Sequence, residues 1–294
     1  MDQEIRSKGI GGSEIASVLG LNKWQSPYQL WLVKTGQGPG PVMNKFMEAG
    51  TILEDAIAKF FERRTGHVIV DPHDRTNIHP KYPFVIGTPD RYFEAENKPD
   101  RGVLECKSTQ SNIDDVPPSW FCQLQWYLGI TGSLHGAVAW LTRGVDFGYR
   151  EYEYDAKFFD YMVDKADTFW HHNVLKGIAP DPIVVEDYEK IYNKHIEGKT
   201  ITTDDLTTKA HQRLLEIKEE LKTLEEEQSN CVAAIKMHME DAEALVDGDQ
   251  ILVTWKAGKP AMMFNAKRFE VEHPRLYKKF LIEKANSRRF LVKG

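Results

Sequence analysis

The chain has 294 residues, a formal net charge of −6, 28% charged residues and 41% hydrophobic residues, as expected for one large globular domain or two modest ones. This composition excludes a disordered or collagen-like chain and a membrane-spanning protein, because no apolar run approaches the roughly 18 residues that a membrane helix needs. The three cysteines are too widely spaced for a disulfide framework and the first residues lack a signal-peptide pattern, so we expect a cytoplasmic protein.

Three helices are predicted at the start of the chain. Ser13 is expected to cap the first of them, since serine side chains accept hydrogen bonds from the free N–H groups of a first turn. Ser26 followed by Pro27 repeats this start signal for the second helix. Residues 48–65 carry apolar side chains at helical spacing and end before Gly66, which predicts a longer amphipathic helix.

The middle of the chain changes to short strands separated by turns, with two further helices. The predicted strands are residues 67–70, 84–86, 91–95, 102–107, 134–141 and 149–154, and the predicted helices are residues 118–128 and 156–175. This mixed order predicts an α/β fold in which helices flank a sheet.

The last hundred residues have a different pattern. Residues 203–244 predict one long helix with apolar residues near heptad spacing, a stripe that we interpret as packing on the preceding domain, although a helical-hairpin arm or an oligomer contact is also open. Residues 251–255 and 261–264 are expected to form a β-hairpin, followed by a basic helix and a tail. We therefore divide the chain into a domain of residues 1–190 and an extension of residues 203–294.

Charge is distributed unevenly along the chain. Residues 251–294 carry 11 Lys and Arg against 3 Asp and Glu, whereas residues 1–250 carry 27 against 41. A basic terminal segment on an acidic body is typical of a surface that meets phosphate groups, and it is also compatible with docking onto the acidic body itself. The negative net charge therefore does not exclude a nucleic-acid partner.

The sharpest chemical signal joins Asp90 to the segment Glu105-Cys106-Lys107. On a strand, Glu105 and Lys107 project from one face and Cys106 from the other. An aspartate at the start of a neighbouring strand would lie close to Glu105, and two adjacent carboxylates need a proton or a bridging cation. Oxygen ligands of this kind suit Mg²⁺ or Mn²⁺, although a lone acid-x-Lys strand is a weak signal that surface strands also show.

Five stretches in order make the pattern more specific than the acid-x-Lys strand alone. They are residues 6–19, 50–54, 87–90, 105–107 and 123–125. Together they resemble the PD-(D/E)xK nuclease superfamily and, within it, the YqaJ-like viral recombinase family that includes phage lambda exonuclease. The resemblance covers about residues 1–175 and implies a restriction-endonuclease-like core, a central mixed sheet flanked by helices, to which this chain adds a C-terminal helical and small β extension.

The resemblance assigns roles to residues around the acid-x-Lys strand. It makes Asp90, Glu105 and the backbone carbonyl of Cys106 metal ligands, and Lys107 the catalytic lysine. Glu54 matches an additional acidic residue near a second metal position, while a charge on a helix surface is its alternative reading. Two glutamines, Gln123 and Gln125, match the helix glutamines that border the cleft in this family. Residues two apart on a helix lie roughly 200° apart, so only one of them is expected to face the cleft, and we favour Gln123.

A second group of residues resembles the pocket that holds a 5'-phosphate in this family. Arg6 and Ser13 match its arginine and serine, and an arginine fork with a hydroxyl is suited to a phosphate. Thr88 matches another hydroxyl of that pocket, with stabilisation of the turn before Pro89 as the alternative. A further basic residue of the family has no counterpart in residues 108–115, which hold no Lys or Arg.

The function implied by the resemblance is a 5'-to-3' double-stranded DNA exonuclease that hydrolyses phosphodiester bonds in phage or prophage recombination, inside a bacterial host cell. It implies two Mg²⁺ or Mn²⁺ ions, duplex DNA ends as substrate, a single-strand annealing protein as partner, and a homo-oligomer such as a trimer. Two alternatives stay open. One is an endonuclease or structure-specific nuclease on the same fold, and the other is a non-catalytic DNA-binding or recruitment protein.

Overall fold

The computed structural model describes residues 3–40, 43–71, 76–259, 262–282 and 288–293. The chain forms two compact units, Met1–Ile191 and Tyr192–Gly294. Among the residues described, no helix is both long enough and apolar enough to cross a membrane.

Four helices open the first unit, and local capping sets most of their ends. They are α1 (Gln3–Arg6), α2 (Gly12–Val18), α3 (Pro27–Lys34) and α4 (Lys45–Thr65). The Ser26 hydroxyl accepts from the N–H of Gln29 at the start of α3, as predicted. α4 begins three residues earlier than predicted, because Asn44 caps it, and it ends at Gly66, which adopts a left-handed conformation.

The predicted cap of α2 is wrong. Its N-cap is Gly11, and Ser13 lies inside the first turn. The carboxylate of Glu14 accepts a hydrogen bond from the Gly11 N–H at 2.8 Å, so an acid three residues beyond the cap holds the entry into the helix. The serine hydroxyl is thereby left for another contact.

A five-stranded mixed sheet forms the centre of the first unit, in the order β1-β4-β5-β6-β7. Its strands are β1 (Val68–Val70), β4 (Arg91–Glu94), β5 (Gly102–Thr109), β6 (His135–Thr142) and β7 (Asp146–Glu153), with a separate two-stranded sheet of β2 (Asn77–Ile78) and β3 (Ile86–Gly87). β5 and β6 are parallel and the other pairs are antiparallel. The parallel pair is connected by helix α5 (Pro118–Thr131), as a parallel connection requires.

Each face of the sheet packs on its own apolar cluster, because β5 and β6 alternate between the two. Val103 and Val138 face the cluster that contains α2, α3 and α5. Leu104 and Cys106 face the cluster that contains α4. Helix α6 (Ala156–Asp167), which continues as a π-helical turn over Thr168–Val174, also joins the first cluster. A sheet flanked by helices confirms the predicted α/β fold class.

The second unit begins after helix α7 (Val185–Ile191). It contains the predicted long helix as α8 (Asp205–Met239), and two short helices, α9 (Ala266–Glu272) and α10 (Pro274–Lys279). α8 ends five residues earlier than predicted, because Glu240 adopts a positive φ of 47°.

The predicted hairpin is wrong in its pairing. Residues 250–254 do form a strand, β9 (Gln250–Thr254), but its partner is β8 (Ala244–Asp247), which precedes it. The turn contains Gly248 at a positive φ of 56°, the conformation that a tight hairpin turn needs and that glycine adopts readily. Of the predicted partner strand, Ala261 lies outside the described residues and residues 262–264 form no strand.

Candidate active site

The two carboxylates singled out by the sequence meet where β4 begins. Arg91 is the first residue of β4 and lies opposite Leu104 of β5, so Asp90 comes immediately before the paired segment. Oδ2 of Asp90 accepts a hydrogen bond from the Cys106 N–H at 2.8 Å. This bond fixes the aspartate beside the strand segment that carries Glu105.

Lys107 is held between an acid and an amide. Its ammonium lies 2.6 Å from Oε1 of Glu105 and donates to Oε1 of Gln123 at 2.8 Å. Strand alternation places Glu105 and Lys107 on the sheet face that α5 covers, while the Cys106 side chain packs on the α4 face. The acid-x-Lys spacing and the helix glutamine therefore form one hydrogen-bonded group.

Burial and repulsion control the charges of this group. Burial, together with the negative charge of Asp90, raises the pKa of Glu105 to about 8. Burial also raises the pKa of Asp90 above its usual value. Burial alone would lower the pKa of Lys107, but the charges of Glu105 and Asp90 outweigh it and the pKa is raised. Lys107 is therefore a firmly held cation between acids that resist ionisation.

Glu54, on α4, contributes to the same negative field. Its charge adds to the effects that raise the pKa of Glu105 and of Cys106, after those of burial and of Asp90. The negative charges of Asp90 and Glu54 thus add to that of Glu105, whose bonded cation is Lys107. Such an excess of buried or partly buried acid is stabilised when a cation enters.

The donor set fits a hard divalent cation. Glu105 is only 1% exposed, and its Oε2 has no hydrogen-bond partner among the described residues. Within those residues no three His, Cys, Asp or Glu side chains cluster closely enough to form a complete metal site. Two carboxylates completed by a backbone carbonyl and water molecules match the way Mg²⁺ is usually bound, with few protein side chains and several waters.

The structure also brings Arg6 and Ser13 together. The NH2 group of Arg6 donates to Oγ of Ser13 at 3.3 Å. Thr88 lies two residues before Asp90, and its buried hydroxyl has no hydrogen-bond partner among the residues that the structure describes. Since buried hydroxyls are normally paired, Thr88 is suited to a contact with a ligand.

Glu14 and Lys34 both contact Arg6, and the sequence by itself assigned a role to neither of them. Oε1 of Glu14 accepts from Nε of Arg6 at 3.2 Å, and its Oε2 lies 2.8 Å from Nζ of Lys34. Glu14 was recognisable as an acid three residues beyond a helix cap. Lys34 ends an otherwise apolar run on α3, and nothing in the local pattern pairs it with a residue twenty positions earlier.

Tyr127 lies beside the group formed by Glu105, Lys107 and Gln123. Its hydroxyl accepts from Nε2 of Gln123 at 3.1 Å. A Cβ added to Gly12 would lie 2.3 Å from its ring, and one added to Gly87 would lie 2.7 Å from it. Burial and the charge of Glu105 raise its pKa well above 10, so the hydroxyl stays protonated. The two glycines thus make room for a tyrosine that supports Gln123.

The second helix glutamine has a different environment. The amide nitrogen of Gln125 donates to the Glu153 carbonyl at 2.8 Å, and its oxygen accepts from the Asp155 N–H at 2.9 Å. These bonds tie α5 to the segment between β7 and α6. Of the two glutamines, Gln123 is the one that contacts Lys107, and Gln125 holds the fold together.

Comparison with known proteins gives a family match and a curated relative. The model of the YqaJ-like viral recombinase domain matches residues 3–133. Protein YqaJ of Bacillus subtilis (strain 168), described as uncharacterized, is 35% identical over an alignment 306 residues long. The alignment covers 98% of this chain and 92% of that protein. The similarity therefore extends well into the second unit.

Two solved structures match part of the chain at low identity and with TM-scores below 0.5. The alkaline exonuclease LHK-Exo from Laribacter hongkongensis is 16% identical with a TM-score of 0.48, covering 60% of this chain and 94% of that one. A phage-related exonuclease from Haemophilus somnus 129PT is 10% identical with a TM-score of 0.42, covering 56% of this chain and 92% of that one.

Proposed function

The chain belongs to the YqaJ-like viral recombinase family, a family of exonuclease-like nucleases, and we propose that it is a divalent-metal-dependent exonuclease that resects the 5' strand of duplex DNA ends. One observation carries this proposal. Asp90, Glu105 and Lys107 lie together at the end of a buried strand pair, with Gln123 bonded to the lysine. Burying two neighbouring carboxylates costs stability, and buried acids with raised pKa values are concentrated at functional sites.

Asp90 and Glu105 would hold Mg²⁺ or Mn²⁺ together with the Cys106 carbonyl, and Glu54 would help to hold a second ion. When bound, the metal supplies Lewis acidity toward a phosphodiester and lowers the pKa of water. The support for this assignment is the unpaired Oε2 of Glu105 and the acid excess around it.

Lys107 is proposed to offset the negative charge that develops on the phosphate oxygens in the transition state. An ammonium has three N–H donors, and two of them are used by Glu105 and Gln123. Within the part of the chain that the structure describes the third has no assigned partner, and it would orient the attacking water or a phosphate oxygen. Because its pKa is raised, the lysine acts as a fixed cation and donor, not as a base.

Arg6, Ser13 and Thr88 are proposed to bind the 5'-phosphate of the strand that is resected. The supporting observations are the Arg6–Ser13 hydrogen bond and the buried hydroxyl of Thr88. A guanidinium and a hydroxyl provide charge-assisted donors for phosphate oxygens. Recognition of a terminal phosphate would set the polarity of resection.

We assign the nuclease activity to residues 1–190 and a DNA-gripping role to the extension of residues 203–294. The surplus of Lys and Arg beyond residue 250 supports the second assignment, since such residues bind phosphates without regard to sequence. A homo-oligomer such as a trimer, a single-strand annealing protein as partner, and a cytoplasmic location in a bacterial host complete the proposal.

The test is release of nucleotides from an end-labelled linear duplex in the presence of Mg²⁺. Asp90→Asn, Glu105→Gln and Lys107→Ala should each abolish release, while Glu96→Gln, which removes an exposed carboxylate, should not. If the wild type releases no nucleotides, or if the three site variants match it, the proposed activity is wrong. Cleavage of a closed circular duplex would indicate an endonuclease instead.

A further inference from the structure

A buried ion pair lies directly behind the proposed phosphate-binding arginine. The carboxylate belongs to Glu14 of α2 and the ammonium to Lys34 of α3, with side chains that are 7% and 3% exposed. We propose that Glu14 and Lys34 are positioning residues that fix Arg6 for a terminal phosphate and so determine the preference for phosphorylated DNA ends. This inference rests on the proposed function of the Arg6 pocket.

Glu14 uses both oxygens to organise the approach to α2. Its Oε1 accepts from Nε of Arg6 at 3.2 Å. Its Oε2 accepts from the Gly11 N–H at 2.8 Å and lies 2.8 Å from Nζ of Lys34. Because Nε of Arg6 is held by this acid, the guanidinium plane is fixed and its NH2 group reaches Ser13.

Lys34 is committed to holding the same segment. Besides Glu14, its ammonium donates to the carbonyl of Arg6 at 2.8 Å and to the carbonyl of Gly9 at 2.7 Å. These three contacts use all three N–H donors of the lysine. Lys34 therefore has no donor left for a ligand, and it acts on DNA through the groups that it holds, which are Glu14 and the carbonyls of Arg6 and Gly9.

Arg6, Glu14 and Lys34 together carry one net positive charge, because two cations share one acid. The lysine is buried, whereas the side chain of Arg6 is 39% exposed. The positive charge is thus presented to solvent through a guanidinium whose orientation is already fixed, which lowers the entropy cost of binding a phosphate.

The experiment compares binding to blunt duplexes that carry either a 5'-phosphate or a 5'-hydroxyl at the free end. Fluorescence anisotropy of a dye on the far end reports affinity, and EDTA prevents cleavage. We expect the wild type to prefer the phosphate end, and Glu14→Gln and Lys34→Met to lower this preference about tenfold, as expected when a charge-assisted hydrogen bond loses its geometry.

Two further variants keep the test decisive if a single substitution unfolds the protein. Glu14→Gln combined with Lys34→Met removes both buried charges together, a replacement that proteins often tolerate. Lys98→Met combined with Glu153→Gln removes an exposed Lys–Glu pair and is the matched control. The buried double variant should lose the phosphate preference, and the exposed one should keep it.

An Arg6→Ala background separates positioning from general stability. If Glu14 acts through Arg6, adding Glu14→Gln to Arg6→Ala should not lower the phosphate preference further. An additional loss in that background, or equal weakening of both DNA ends, would overturn the inference. So would a wild type without phosphate preference, even if it releases nucleotides. A phosphate preference without nucleotide release would instead contradict only the proposed nuclease.

Discussion

Tyr127 is packed against two glycines, and Gly12→Ala is therefore expected to destabilise the first unit. The new Cβ would lie 2.3 Å from Cε1 and 2.6 Å from Cζ of the ring, whereas carbon atoms pack at about 3.5–4.0 Å. The tyrosine is buried and also packs against Gly87, so the ring has little room to move away.

The size of the effect follows from overpacking. Forcing an extra carbon into a filled core costs about 1–3 kcal/mol. For a unit of this size a loss of about 2 kcal/mol lowers Tm by roughly 4–8 °C. Displacement of Tyr127 would also disturb the Gln123 hydrogen bond, so nucleotide release should fall in the same variant.

Gly50→Ala is the matched control, because the same atom is added where nothing lies within 4 Å. Gly50 is inside α4, where alanine in place of glycine stabilises a helix by about 0.5–1 kcal/mol. Thermal unfolding followed by far-UV circular dichroism should thus shift in opposite directions for the two variants. A Gly12→Ala protein as stable as the wild type would refute the packing argument.

Three other predictions follow from the site and the tail. The pKa of Glu105 is raised from 4.5 to about 8, so between these values the folded protein holds a proton that the unfolded chain has released. The stability that this proton contributes is complete below about pH 4.5 and is lost as pH rises through about 8. Urea midpoints of the metal-free wild type should therefore fall between about pH 5 and about pH 8 more steeply than those of Glu105→Gln, and parallel curves would contradict this. Gln125→Ala leaves two backbone groups unpaired and should lower the free energy of unfolding, measured in urea, by about 2–4 kcal/mol. Gln123→Ala should lower nucleotide release more than Gln125→Ala does when both variants are folded. Deleting residues 258–294, which hold ten Lys and Arg against three Asp and Glu, should weaken DNA binding and flatten its salt dependence, and unchanged binding would remove the tail from the interface.

Much of the framework follows from the sequence alone, because its signals lie within a few residues of each other. Ser26 before Pro27 defines the start of α3, and Gly66 defines the end of α4. The period of a strand places Glu105 and Lys107 on one face without knowledge of the rest of the fold. The prediction of the hairpin was wrong because the helical pattern continues past the end of α8 and hides strand β8. Gly248, which forms the turn between β8 and β9, was the local signal for the correct pairing.

The tertiary structure decided which residues support the site, since those contacts join distant parts of the chain. Lys34 contacts Glu14 only because α2 and α3 pack together, and the helical pattern of α3 does not predict this contact. Tyr127 contacts Gly12 across more than a hundred residues, and the choice between Gln123 and Gln125 depends on how α5 lies on the sheet. Sequence periodicity gives the direction of a side chain from its own backbone, whereas only packing determines what that side chain meets.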